Sequence, residues 1–209
     1  MSSLVLTDYS PLDEKVKTET GDRSSQIWLL VNPKYPDVRQ DIWLPILEVI
    51  QDKMFRKLRK RIDTGRIFMK TIVSDIGVVS RASNMWSTEI AEEIVTLRES
   101  ILEYQPKILI TFGSVTYELV TRILGINQER EPKCWQTTNL GDEFQRSMEN
   151  FEITGINRIP LPLRALTKGK IINEYNYFSW EDCEDYFSVV GTKIADRILE
   201  NEDCLKIWI

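Results

Sequence analysis

Apolar residues along this chain follow two rhythms, and the order in which they alternate predicts the architecture. Between Ser87 and Gly125, Ile90, Ile94, Leu97 and Ile101 recur at the spacing of one helical face, with Glu89, Glu92, Glu93, Glu99 and Glu103 mostly on the others. Pro106 stops that helix. Lys107-Ile-Leu-Ile-Thr-Phe112 follows as a short apolar run without alternation, the pattern of a strand covered on both faces. Gly113-Ser114 then turns into a second amphipathic helix carrying Val115, Leu119, Val120, Ile123 and Leu124 and closed by Gly125. Helix, buried strand and helix in immediate succession are the building block of a parallel α/β sheet, whose ligands bind at the strand carboxyl ends.

The same reading extends outward. Ile27-Trp-Leu-Leu-Val31 is predicted as the first buried strand, ended by Asn32-Pro33-Lys34-Tyr35-Pro36-Asp37, where two prolines and turn-forming residues break it. Trp43, Ile46, Leu47, Ile50, Met54 and Leu58 fit one face of a long helix. A turn at Asp63-Thr64-Gly65 leads to a second strand from Ile67 to Val73, whose carboxyl end reaches Ser74 and Asp75. Residues 127–150 read as a polar, irregular insertion or loop, and Phe151-Glu-Ile-Thr154 as a short strand or hairpin arm. Arg158-Ile-Pro-Leu-Pro-Leu163 is the last strand. Ser179-Trp180-Glu181-Asp182 is a capping box opening a final helix with Phe187, Val190, Ile194 and Ile198 on its apolar face. The expectation is a mobile tail over residues 1–25 and one domain over 26–209: a three-layer α/β/α sandwich with a central parallel sheet. Lys107–Phe112 should lie centrally, between the strand starting near Ile27 and the one ending near Leu163.

Composition narrows the chemistry. With 209 residues, 42% of them hydrophobic, the chain suffices for one substantial core. It contains no histidine, and Cys134, Cys183 and Cys204 form no CxxC pair, so zinc and iron-sulfur sites and every histidine-based nucleophile are disfavoured and no cofactor or metal is expected. No run approaches the roughly 18 apolar residues needed to span a bilayer, and the amino-terminal residues do not resemble a secretory signal, so a cytoplasmic protein without membrane contact is expected. A net charge of -5 does not draw nucleic acid to the surface as a whole, so any such contact must be local. Lys53, Arg56, Lys57, Arg59, Lys60, Arg61 and Arg66 form the one dense basic segment, with Phe55 inside it. It can track a phosphate backbone, or simply form the solvated, dipole-favoured end of the long helix. Ser114 reads as a turn and cap residue at a helix N-terminus that can receive a phosphate.

The order strand, Asn-Pro loop, helix, strand, helix, buried strand with Gly-Ser, helix, strand with Pro-Leu-Pro and terminal helix resembles the uracil-DNA glycosylase superfamily, over about residues 26–200. The likeness is strongest at STEIAEEIVTLRESILEYQPKILITFGSVTYELV, where that family commonly has a helix leading into a Pro-Lys strand and then Gly and a helix. Leu30-Val31-Asn32-Pro33 matches the polar residue and proline of the family's first motif without its glycine. The resemblance implies a metal-independent hydrolase of N-glycosidic bonds acting on DNA or RNA or a free nucleobase. In it, Asn32 would position water, Asp75 or Asp37 would accept a proton or hydrogen bond, Tyr35 would stack on the extruded base, and Arg164 or backbone amides would stabilise the departing base. Lys53, Arg56, Lys57, Lys60, Arg61 and Ser114 would meet the nucleic acid. The family's second motif is altered: Leu163 stands at its leading polar position and Ala165 at its serine. The alternative expectation is a noncatalytic module on the same fold that binds a protein or nucleotide partner.

Overall fold

The structure, a computed structural model, describes residues 19–35, 37–73, 88–125, 137–163 and 186–209. The described strands are β1 (Glu19–Thr20), β2 (Ile27–Val31), β3 (Phe68–Thr71), β4 (Ile108–Phe112) and β5 (Asn157–Leu161), in one sheet of order β1-β3-β2-β4-β5. The last four are mutually parallel, and β1 pairs antiparallel with β3 at the edge. The helices are α1 (Leu44–Leu58), α2 (Thr88–Tyr104), α3 (Ser114–Ile123), α4 (Thr137–Glu149) and α5 (Tyr186–Glu200). A π-helical turn, Arg39–Trp43, leads into α1.

β4 is central and wholly buried, as its unalternating apolar run predicts. Ile108 pairs with Ile27 of β2 on one side and with Asn157 of β5 on the other. The pleat sends Ile108, Ile110 and Phe112 to one face, where they join Ile46 and Ile50 of α1, Phe144 of α4 and Val190 and Ile194 of α5. Leu109 goes to the other face, with Trp28 and Leu30 of β2, Leu97 and Ile101 of α2, and Val120 of α3. Two separate apolar clusters, one on each face, are what a three-layer α/β/α sandwich requires. On the α2 side the large rings nest, with Trp28 4.5 Å from Phe68 and 6.0 Å from Tyr104 between centroids. Edge strand β5 aims the amides of alternate residues at β4, as in Asn157 N–H to Lys107 C=O, 3.0 Å. Arg158 and Pro160 therefore turn their backbone nitrogens outward, and proline there leaves no donor exposed.

Three elements differ from expectation. Thr137–Glu149, within the stretch read as irregular, is helix α4. Its apolar residues Leu140, Phe144 and Met148 recur every fourth position and bury one narrow stripe, which the surrounding polar residues mask. Phe151–Thr154 is a turn rather than a strand arm. The Asn157 carboxamide explains this: its oxygen accepts the Glu152 N–H at 2.7 Å while its nitrogen donates to the Glu152 and Lys107 carbonyls, satisfying locally the groups a strand would need. Glu19 and Thr20, assigned by sequence to the tail, pair with Met69 and Lys70 of β3. Burial alone would raise the Glu19 carboxyl, but hydrogen bonds from Lys70 and Arg23 outweigh it and hold the group below the ordinary glutamate value. Residues 21–25, also assigned to the tail, are placed against the sheet's amino end, where Asp22 accepts from Arg66 at 3.1 Å and Ser25 is buried, while residues 1–18 and the Ser179–Asp182 capping box lie outside the described residues.

α5 and α1 pack closely because Gly191 has no side chain: a Cβ there would lie 2.7 Å from the Val49 Cβ and 3.0 Å from the Ile46 carbonyl oxygen. Gly191→Val is expected to lower unfolding free energy by about 1 to 3 kcal/mol through overpacking, read from the urea midpoint. An unchanged midpoint would mean that α5 can withdraw from α1 at no cost.

Candidate functional site

The sheet order creates one distinctive place. From β2 the chain passes through α1 to β3 on one side, and β4 then lies on the other side of β2. The carboxyl ends of β2 and β4 therefore part at a topological switch point, where open α/β sheets bind their ligands. Leu30 is level with Thr111, so continuation of that register brings Asn32 level with Gly113. The Asn32-Pro33 loop and the Gly113-Ser114 turn, both singled out from sequence, thus flank the same crevice. Gly113 adopts φ +86 and donates to the Leu161 carbonyl at 2.7 Å. A Cβ on it would lie 2.4 Å from the Leu163 Cγ, so the Leu163 side chain sits directly against the turn. Both the left-handed backbone and that contact demand glycine.

Asn32 is 4% exposed. Its Oδ1 accepts the Lys34 N–H at 3.0 Å and its carbonyl accepts the Tyr35 N–H at 2.9 Å, so the residue builds the loop it sits in. One lone pair of Oδ1 and the amide NH2 remain for further partners. Tyr35 is half-buried against the α1-side core. Across the crevice, α3 starts at Ser114 with no side-chain cap, and its first intrahelical bond is Tyr117 N–H to Gly113 C=O, 3.1 Å. The amides of Ser114, Val115 and Thr116 are left as the unpaired donors of a helix N-terminus. Beneath them, the fully buried hydroxyls of Thr111 and Thr116 have no hydrogen-bond partner among the described residues. Sequence pattern gave no signal for these two threonines, since β-branched residues suit a strand or a helix core equally.

The direction of α3 is fixed from behind. Tyr117 OH donates to Glu143 Oε2 at 3.3 Å, the Arg158 guanidinium lies 5.5 Å from the Tyr117 ring centroid, and Arg158 also donates to Thr121 Oγ1 at 2.5 Å. This network ties α3 to α4 and β5. It is invisible in the sequence pattern because Glu143 and Arg158 are 26 and 41 residues from Tyr117.

The basic segment lies elsewhere. α1 returns the chain from the carboxyl to the amino ends of the parallel strands, so Phe55 and the cations after it stand at the opposite pole, roughly 22 Å along a 15-residue helix. Most of those cations have partners: Lys53 with Asp196 at 2.6 Å, Arg56 with Asp52 at 2.9 Å, Lys60 with Glu202 at 3.9 Å and Arg66 with Asp22 at 3.1 Å. Lys53, Arg56, Lys57, Lys60 and Arg61 therefore do not converge with Asn32, Tyr35 and Ser114. Asp37 is exposed, and its carbonyl accepts the amides of Gln40 and Asp41 to start the helical turn. Asp75 and Arg164 lie outside the described residues. Among the described residues no group of three or more potential metal ligands gathers, and no helix is long and apolar enough to cross a membrane. The chain matches no protein-family model and no functionally curated protein.

Burial raises the Tyr117 phenol to about 12 against the opposing pull of Arg158, with Glu143 adding to the rise. A phenol that holds its proton more tightly when folded contributes stability that is complete below pH 10 and is lost as pH rises toward 12. Stability should fall by roughly 2 to 3 kcal/mol more in wild type than in Tyr117→Phe between those limits, at about 1.4 kcal/mol per pH unit. Parallel pH profiles of the two proteins in urea would contradict this.

Proposed function

We propose that this chain is a uracil-DNA glycosylase-like domain that binds a nucleobase or nucleic acid in the β2/β4 crevice and hydrolyses the N-glycosidic bond weakly or not at all. The observation carrying this reading is the placement of Asn32-Pro33 and Gly113-Ser114 on opposite sides of the switch point. A base held there meets the Asn32 amide on one side, and a phosphate or base carbonyl meets the α3 N-terminal amides on the other.

Hydrolysis asks for more than binding. Water must be oriented toward the sugar carbon, and negative charge must be stabilised on the departing base. Asn32 can take the first role through its remaining lone pair. Leu163, packed on Gly113, offers no hydrogen-bond donor for the second, and lacking such a donor typically costs about 2.7 to 4 kcal/mol, or 100- to 1,000-fold in rate. This same contact favours the second reading, a noncatalytic binding module on the fold.

Purified protein is expected to release uracil from single- or double-stranded DNA at a rate at least ~100-fold below that of an active glycosylase assayed alongside. Any residual release should disappear in Asn32→Ala. That variant should also lose about 1 kcal/mol of stability, because the Lys34 N–H forfeits its acceptor. Rapid uracil release that is indifferent to Asn32→Ala would sink both the role given to Asn32 and the role given to Leu163.

A further inference from the structure

At the pole opposite the crevice, Phe55 remains 39% exposed on α1, although most large apolar side chains in the described residues are buried. Two guanidinium groups lie beside it: Arg59 is 5.3 Å and Arg61 5.1 Å from the ring centroid. Neither has an ion-pair partner among the described residues, and neither does Lys57, in contrast to Lys53, Arg56, Lys60 and Arg66. Arg59 caps α1 in the left-handed region, with φ 58 and ψ 21, where glycine is the favoured residue. A strained arginine thus stands where glycine would serve the helix better, and its side chain lies beside an exposed ring.

The Arg61 side is held firmly. Gln51 donates to the Ile62 carbonyl at 2.8 Å and accepts the Ile62 N–H at 2.9 Å, while the Arg61 carbonyl accepts the Ile209 N–H at 2.9 Å. A groove of roughly 420 Å³ runs beside the ring, with Glu48, Gln51 and Asp52 among its polar walls. The combination is an aromatic face, unpaired cations beside it and acceptors along its margin. We propose that Phe55, Arg59 and Arg61 form a second contact for single-stranded nucleic acid, in which a base stacks on Phe55, phosphates meet the two unpaired guanidinium groups, and Glu48 or Asp52 accepts hydrogen bonds from exocyclic amino groups. Stacking on an exposed ring tolerates any base, so the contact binds single strands without sequence preference. It stands on observations independent of the β2/β4 crevice.

The test is fluorescence anisotropy with labelled 15-nucleotide single-stranded DNA and RNA of mixed sequence, with a 15-residue polyglutamate peptide as a second polyanion. Two phosphate contacts to a single strand predict a slope of about -1.4 in log affinity against log salt, or a loss of roughly 7-fold between 50 and 200 mM. Phe55→Ala should weaken binding by about 5- to 100-fold, the range for one stacked base. Arg59→Gly should weaken it several-fold and lower the magnitude of the slope by about 0.7, while the thermal midpoint stays level or rises as the left-handed strain is relieved. That opposition between stability and affinity is not expected of a residue with a purely structural role. The proposal is overturned by any of four results: no binding at 50 mM salt, unchanged affinity in Phe55→Ala, polyglutamate binding as tight as the oligonucleotides, or affinity lost with Ser114→Ala but kept with Phe55→Ala. The last would place the nucleic acid at the strand ends instead.

Discussion

The pairing of β4 with β2 on one side and β5 on the other fixes nearly everything else in this molecule. β4 has no solvent-exposed residue, its backbone is bonded along both edges, and each of its faces anchors a separate apolar cluster. A strand so constrained cannot shift by one residue without turning Ile110 and Phe112 out of one core and Thr111 into it. The Gly113 turn at its end inherits that rigidity: its amide is bonded to Leu161 and its Cα face is filled by Leu163. The α3 N-terminus is placed by the same pairing and held from behind by Tyr117, Glu143 and Arg158. The crevice is therefore a consequence of strand order and register, and its two flanking loops need few interactions of their own to stay in position.

What the sequence disclosed, and what it withheld, follow from how locally each feature is encoded. The β4 strand with its preceding and following helices was legible because full burial of a strand requires a continuous apolar run, and helix amphipathicity repeats within a few residues. The Asn32-Pro33 and Gly113-Ser114 breaks were legible because they lie where that periodicity stops. α4 was missed because a single stripe of three residues spaced four apart, Leu140, Phe144 and Met148, suffices to dock it on β5 while the other faces remain polar. The turn before β5 depends on one carboxamide, Asn157, whose bonds are invisible until the chain is folded. The Tyr117 network, joining three elements distant in sequence, belongs to tertiary structure alone.

The basic segment shows the same limit from the side of charge. In sequence it is a run of seven cations between Lys53 and Arg66. In space four of them face carboxylates, two of these carried by α5 and the turn after it, and only Lys57, Arg59 and Arg61 are left without an ion pair among the described residues. Exposed pairs of this kind contribute little to stability, typically 0 to about 1 kcal/mol, but they do remove charge from what a ligand can use. A linear count of lysines and arginines thus overstates the field, and pairing decides where it is felt.

Separation of that field from the crevice bears on the chemistry each can perform. About 22 Å of helix exceeds the screening length of roughly 8 Å at physiological salt, so the cations at the far pole cannot stabilise charge developing at the strand ends. The described part of the crevice instead offers backbone amides, the Asn32 carboxamide, buried threonine hydroxyls and the apolar Leu163. Neutral groups of this kind suit recognition of a planar, uncharged base by hydrogen bonds and contact area. Expelling that base as an anion requires a donor that becomes stronger as charge grows, and the Leu163 side chain packed against Gly113 supplies none.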